Sequence, residues 1–387
     1  MKLLYAAFDP VPFPKGSAVR IEATVRALAA AGAKVRLLTP EQPRQIEGFD
    51  ARLRVDGVEH QTVSCPGEHF LDRAMAYREA VRQAVAQGSE ELCWFRSIWE
   101  GLPMVESGKP VVYEAHGFPS VELPSHYPGV GCRADLLERF VAQEQLCLHK
   151  ARYVLTPSAT GRTYLMTRGV HPGRIRKVPN SVLMEDFPSP QPLPEGPPWR
   201  LAYMGTMAPW QGLITLLEAL GRLKGRIDLK LFLAGPRKGR WMRQAREAAR
   251  GVRVRSIVEF TGPMKRAELH RFLQTCHLCL APLPNDVRNA AQGCCPIKIL
   301  EYMACGRPVL STAIRPVTEL LTHGETGWLV APNSSYALAR GITHLLERPE
   351  LSADLSRQAR LKVAEEFHRG YFDRRIGSLV EEVQSRA

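Results

Sequence analysis

The chain has 387 residues, 45% hydrophobic and 24% charged, with a formal net charge of +13. That length supports two hydrophobic cores, and the composition excludes a collagen-like, fibrous or disordered chain. No apolar run approaches the roughly 20 residues that a bilayer span requires. The opening segment Met1–Phe8 has a charge and an apolar run but stops at Asp9-Pro10, too soon for a signal peptide. It therefore reads as a first strand, and a cytoplasmic protein is expected. Nine scattered cysteines make no disulfide framework, and Cys276-x-x-Cys279 lies in an apolar run with no second pair to complete a zinc site. Lysine and arginine are spread along the chain with no nucleic-acid-binding signature. A generally basic surface is expected, one that suits phosphorylated ligands or peripheral contact with an anionic membrane at its inner face.

In chain order, strands are expected at Leu3–Phe8, Lys34–Thr39, Glu91–Phe95, Pro110–Glu114 and Arg152–Thr156. Helical patterns at Ala18–Ala31, Leu71–Ala86 and Asp135–Lys150 lie between them. The segment Phe187–Pro198 is dense in proline, cannot be helix or central strand, and reads as a linker. Alternation then resumes. Strands fit Arg200–Gly205, Asp228–Gly235, Ile257–Thr261, His277–Pro282, Pro308–Thr312 and Gly327–Val330. Helices fit Gly212–Leu223, Arg240–Arg250, Arg266–Thr275, Pro296–Cys305 and Ser334–Leu346, before helical segments at Leu351–Phe367 and Tyr371–Gln384. Alternating strands and helices predict two doubly wound α/β, Rossmann-like domains with ligands beyond the carboxyl ends of their strands, facing a central cleft. The expected divisions are an N-terminal domain over 1–187, a linker over 188–199, a C-terminal domain over 200–368 and a final helix over 369–387 that packs back on the first domain.

Three places carry chemistry. In Pro14-Lys15-Gly16-Ser17-Ala18, Gly16 permits close backbone approach and Ser17 reads as the N-cap of a helix from Ala18, an arrangement open to an anion but also common for steric reasons alone. Absence of G-x-G-x-x-G disfavours a dinucleotide dehydrogenase. Next, a β-rich run delivers His116 to a strand end, where it could donate to a sugar hydroxyl or to charge at a reacting carbon, or serve structure only. Third, Gly293-Cys294-Cys295-Pro296 precedes a helix whose Lys298 and Glu301 share a face, suited to a phosphate and a ribose diol; an ordinary ion pair has the same spacing.

Seven segments in order make the chain resemble family 4 glycosyltransferases of the GT-B fold over nearly its whole length. They are Phe13–Ala18, Glu114–Gly117, Val178–Val182, Tyr203–Thr206, Trp210–Gly212 with Leu216–Ala219, Glu301–Val309 and Gly324–Val330. The resemblance implies a nucleotide-diphosphate sugar held mainly by the second domain, retention at the anomeric carbon, no metal and no cofactor. Glu301 would then hold the ribose hydroxyls, Gly16 would lie under the diphosphate, His116 would contact the sugar and Met264 would border the base. The acceptor, a glycan, a lipid-linked glycan or a small molecule, falls to the first domain, where the loop Phe118–Gly131 is a candidate lip.

Three departures matter. The family's earlier glutamate, eight positions before Glu301, is Gly293, and its diphosphate-binding Arg and Lys fall on Thr206 and Gln211. Lys298 and Arg288 are the cations expected to supply the missing charge, with Gln292 and the Gly293, Cys294 and Cys295 backbone recognising the sugar. The same departures keep a non-catalytic nucleotide-sugar-binding subunit as an alternative, and a GT-B-type nucleotide-sugar epimerase is a third reading.

Overall fold

The computed structural model describes residues 1–42, 50 and 52–385. The chain divides into two compact units, one of residues 1–179 and 370–387, the other of residues 180–369. The division falls within Val178–Val182, upstream of the Pro-rich segment expected as a linker. Residues 188–199 belong to the second unit, held there by their carbonyls. Fully buried Arg307 donates to Gln191 O, Pro192 O and Gln274 O, and Gln274 Nε2 donates to Ser189 O at 2.8 Å. Proline removes backbone donors but leaves acceptors, so a buried guanidinium with its fork of N–H groups can fasten such a segment.

The first unit is a seven-stranded, all-parallel sheet: β1 (Lys2–Ala6), β2 (Lys34–Pro40), β3 (Val58–Val63), β4 (Leu92–Phe95), β5 (Val111–Glu114), β6 (Tyr153–Thr156) and β7 (Ile175–Lys177), in spatial order 3-2-1-4-5-6-7. The central strands are buried along their length, as a sheet covered on both faces requires. The order reverses between β1 and β4, so the loops after these two strands part and leave a crevice at their carboxyl ends. The expected Phe118–Gly131 loop is two short helices, Pro119–His126 and Pro128–Gly131.

The C-terminal helix Arg369–Gln384 closes the first unit. Phe372, Ile376, Leu379, Val380 and Val383 are buried with Leu3, Tyr5, Ile21 and Trp94.

The second unit repeats the plan with six parallel strands: β8 (Trp199–Met204), β9 (Leu229–Ala234), β10 (Val258–Gly262), β11 (Leu278–Ala281), β12 (Val309–Thr312) and β13 (Trp328–Val330), ordered 10-9-8-11-12-13. Here the reversal lies between β8 and β11. Gly212, just before the helix Leu213–Leu223, has φ +71, and a Cβ there would sit 1.7 Å from Pro282 O. Only glycine lets the turn after β8 close against the turn after β11. All nine cysteines are free thiols, with Cys276 and Cys279 buried in the core.

Phe372 lies 3% exposed with the Arg20 guanidinium 4.4 Å above its ring. Phe372→Ala is expected to destabilise the first unit by about 3–5 kcal/mol. Hydrogen exchange at β1 and the Gly16–Ala30 helix, compared with β8 and β11, reads that loss unit by unit; equal protection in both would show the final helix adds nothing to the first core.

Candidate active site

At the carboxyl edge of the first sheet, β5 ends on Glu114, which is wholly buried. Its Oε2 accepts from Tyr5 Oη at 2.7 Å and Trp94 Nε1 at 3.2 Å, and its Oε1 accepts from Arg20 Nε at 2.6 Å. Burial alone would raise the carboxyl pKa, but Arg20, the bond with His116 and the nearby Arg96 hold it well below the usual range. Glu114 is therefore a fixed anion, and His116 Nε2 stands 3.0 Å from its Oε1. Burial pushes the His116 pKa down to about 4; the bond to Glu114 opposes this and the charges of Arg96 and Arg20 reinforce it. Near neutrality the imidazole is thus uncharged. The carboxylate fixes its proton on Nε2, which makes Nδ1 the acceptor. A neutral ring held this way has its Nε2 proton committed to Glu114, and Nδ1 is the ring atom suited to accept a hydrogen bond.

The loop after β1 adjoins this centre. Its helix begins at Gly16 with Lys15 as N-cap, two residues earlier than expected. Ser17 does not cap because its hydroxyl donates to Asp9 Oδ1 at 3.0 Å, and Lys15 Nζ pairs with the same oxygen at 2.6 Å. Arg96, just beyond β4, donates from Nη1 to Ser17 O at 3.1 Å. It is 9% exposed and its Nε has no partner. Glu114, Arg20 and Arg96 escape sequence reading because a single Glu or Arg in a strand or helix announces nothing. The one available signal is a carboxylate in a four-residue apolar strand, which has to be matched by buried cations.

In the second unit the helix Ile297–Ala304, between β11 and β12, carries Lys298 and Glu301. Pro296 is its N-cap rather than its first residue. Lys298 is 7% exposed, yet its Nζ donates to Gln211 Oε1 at 2.6 Å and lies 4.2 Å from the centroid of the Tyr203 ring. The Tyr203 hydroxyl in turn donates to Thr206 O. The structure so joins Lys298 to the turn after β8 that holds Thr206 and Gln211. No carboxylate forms an ion pair with Lys298 among the described residues, and burial pushes its pKa down to about 7, with smaller opposing pulls from Cys294 and Glu301.

Glu301, one turn further, is flanked by Arg266 Nη2 at 3.5 Å and His270 Nε2 at 3.9 Å from Oε1. His270 is stacked on Phe187 and meets Asp186 O through Nδ1 at 3.1 Å, which fixes its orientation. Met264 precedes the helix Arg266–Gln274 that supplies both flanking groups, beyond edge strand β10.

The stretch expected as a loop, Asn289–Cys295, is partly a π-helical turn over Val287–Gln292, capped by Asp286 Oδ1 accepting from Asn289 N at 2.7 Å. Buried Asn289 donates to Trp210 O at 2.8 Å and Pro284 O at 3.1 Å, which ties this turn to the one holding Gln211. Arg288 lies with Cζ 5.0 Å from the Trp210 ring. Gln292 is buried, Gly293 has φ +84, Cys294 is partly exposed, and Cys295 O accepts from Asn180 Nδ2 at 2.6 Å. Among the described residues no group of His, Cys, Asp and Glu is placed to hold a metal ion, and no helix is long and apolar enough to cross a membrane.

Residues 15–181 match the family model of a glycosyl transferase 4-like domain, and residues 185–362 match that of glycosyl transferases group 1. The chain is 25% identical over 252 residues to WcaL of Salmonella typhimurium, a glycosyltransferase provisionally assigned to colanic acid biosynthesis, across 64% of the chain and 61% of that protein. It is 35% identical over 152 residues to N-acetyl-alpha-D-glucosaminyl L-malate synthase of Bacillus anthracis, across 39% and 37% of the two proteins. Each match spans less than two thirds of the relative's own length. Among solved structures, sucrose-phosphate synthase of Thermosynechococcus elongatus superposes with a TM-score of 0.83 at 19% identity, covering 100% of both chains. Anabaena HepE in complex with UDP-glucose gives 0.74 at 17% identity, covering 99% of this chain and 100% of that one. Residues 15–181 thus belong to the glycosyl transferase 4-like family and residues 185–362 to glycosyl transferases group 1, each on a parallel Rossmann-like sheet, and the whole chain shares the GT-B fold of these solved structures.

Proposed function

We propose that this chain transfers a sugar from a nucleoside-diphosphate sugar to a glycan, lipid-linked or small-molecule acceptor, with retention of anomeric configuration and without a metal. The observation that carries this reading is the 2.6 Å contact between Lys298 Nζ and Gln211 Oε1. It brings a cation from the helix Ile297–Ala304 to the turn where the family's own cations are missing. An ammonium buried beside a neutral amide is suited to an incoming anion, and a diphosphate leaving group supplies one. Arg288, against Trp210, is the second candidate. Glu301, oriented by Arg266 and His270, is suited to the ribose diol. From the resemblance, the first unit's Gly16 is the candidate for the phosphates and its neutral His116 the candidate for a sugar hydroxyl. In the transfer, the bond from the anomeric carbon to the phosphate oxygen breaks and the acceptor oxygen bonds to the same face. The acceptor proton leaves with the departing diphosphate. HepE was solved with UDP-glucose, so UDP-sugars are the first donors to test here.

Incubation with a panel of nucleotide sugars and candidate acceptors, read by mass spectrometry and by NMR at the anomeric centre, tests the reaction. Transfer with retention is expected, abolished by Glu301→Ala. Donor binding with neither hydrolysis nor transfer would favour the non-catalytic subunit, and an isomerised donor the epimerase; unchanged turnover with EDTA is expected of the metal-free reaction.

Removing one preorganised group beside a developing charge costs about 10²–10³-fold in kcat. Lys298→Ala is expected to lose that much, and Arg288→Ala less. Full turnover in both variants would show that neither residue replaces the missing cations.

A nucleotide sugar's diphosphate is fully ionised and does not titrate near neutrality, so the pH dependence of its binding reports the protein. Lys298 is charged below pH 7 and loses its proton as pH rises through about 7 in the donor-free protein. Affinity for the nucleotide sugar is therefore expected to be about tenfold weaker at pH 8 than at pH 6, with proton uptake on binding. Calorimetry in buffers of different ionisation enthalpy measures both. A pH-independent affinity without proton uptake would remove Lys298 from the diphosphate site.

A further inference from the structure

Eight lysines and arginines lie between positions 237 and 255, against one acid, Glu247. Most of them sit on or just beyond the helix Arg240–Gly251, which buries Met242, Ala245 and Ala249 in the second unit's core. Arg243, Arg246 and Arg250 stand on the opposite, exposed face, and exposed Arg253 and Arg255 follow in the turn before β10. The group is continuous: Arg246 and Arg255 both lie against the Phe260 ring, at 5.3 and 5.7 Å, and Lys224 Nζ donates to Arg253 O. Four exposed arginines elsewhere hold a carboxylate at 2.6–2.9 Å, Arg26 with Glu22, Arg82 with Glu79, Arg133 with Asp135 and Arg357 with Asp354. Among the described residues, the five clustered on this face form no ion pair.

We propose that the face of the second unit bearing Arg243, Arg246, Arg250, Arg253 and Arg255 docks on an anionic lipid bilayer. Five arginines against the one exposed acid Glu247, on a helix about 18 Å long and the turn after it, present a net excess of positive charge over more than a Debye length. A bilayer surface, broad and uniformly negative, complements such a row without a groove. The helix's apolar side is committed to the core, so the contact is electrostatic and nothing inserts. Phe260 beside the patch already carries the guanidiniums of Arg246 and Arg255. Among the described residues no exposed aromatic ring interleaves the five arginines as a stacking platform, which favours lipid over single-stranded nucleic acid. This surface deepens the proposed function by bringing the donor-binding unit to the plane where a lipid-linked acceptor is met.

The experiment is vesicle flotation of the full chain without donor or acceptor, so its failure leaves the transferase reading intact. The probes are phosphatidylcholine vesicles and vesicles in which a third of the lipid is phosphatidylglycerol. Binding is expected to the anionic vesicles alone and to disappear at high salt. Each cation near such a surface is worth about fivefold in partitioning, so Arg243→Glu/Arg246→Glu/Arg250→Glu should weaken binding about 100-fold or more. A control reversing the paired arginines, Arg82→Glu/Arg133→Glu/Arg357→Glu, makes the same change in net charge and should weaken it far less. The double variant Arg243→Gln/Arg250→Gln, with circular dichroism on each protein, separates lost charge from lost folding. The proposal is overturned if the two triple variants bind alike, if the wild-type chain ignores anionic vesicles, or if duplex DNA or single-stranded RNA displaces the chain from them.

Discussion

A lysine ammonium buried at the carboxyl edge of a parallel sheet, with a neutral amide for its polar partner, is the constraint around which the second unit is arranged. Lys298 is held between Gln211 and the face of Tyr203, and each contact has a structural requirement. Gln211 is presented by a turn that closes only because Gly212 adopts φ +71 against Pro282 O. Asn289 fastens the same turn by its bond to Trp210 O. Tyr203 lies in the buried end of β8, and its hydroxyl is spent on Thr206 O, which leaves the ring face to the ammonium. A Cβ on Gly205 would come within 3.0 Å of Nζ, so this position too is kept open for the cation. Such an ion is costly to bury, and these contacts hold it without neutralising it.

The first unit treats buried charge in the opposite way. Glu114 is deeper than Lys298, yet its oxygens are matched by Tyr5, Trp94, Arg20 and His116, and its charge is answered by Arg20 with Arg96 nearby. A satisfied network of this kind is rigid, and truncating any member leaves another group buried and unpaired. Its consequence at the surface is a single imidazole with a set tautomer and no charge near neutrality. The network positions His116 rather than offering an anion site. Arg96, joined to Ser17 O, links that centre to the Gly16 turn.

The fold was legible in the residues because parallel sheets buried on both faces leave apolar runs separated by amphipathic helices. The strands missed are the two edges of the first sheet. Val58–Val63 alternates polar residues toward solvent, and Ile175–Lys177 is three residues long. The helix Ile98–Glu106 was hidden by Gly101 and Pro103, which normally break helices; here Ser97 and Glu100 cap it and its neighbours bury it almost completely. The Pro-rich segment misled for a related reason. Its composition excludes helix and strand, but only the fold reveals Arg307 waiting beneath its carbonyls. At the candidate site, motif positions pointed to Lys298, Glu301, His116 and Gln211. Glu114 lies two residues before His116, inside the same motif, whereas Arg20, Arg96, Arg266 and His270 lie far away in sequence and meet these residues only through the fold.

The two ways of holding charge also bear on which unit an anionic donor needs. In the first unit Arg20 is closed against Glu114 in a buried ion pair, with Arg96 beside them on Ser17 O. In the second, Lys298 faces Gln211 while Glu301 is turned toward Arg266 and His270, so the helix Ile297–Ala304 separates its cation from its anion by one turn instead of pairing them. An i,i+3 pair that declines to close leaves two unmet demands side by side, one for negative charge and one for hydroxyl donors. A nucleoside diphosphate carries both groups at about that spacing. Glycine at position 293 adds no carboxylate to the segment that leads into this helix, which agrees with the proposal that Lys298 answers the donor's diphosphate rather than a carboxylate of the chain.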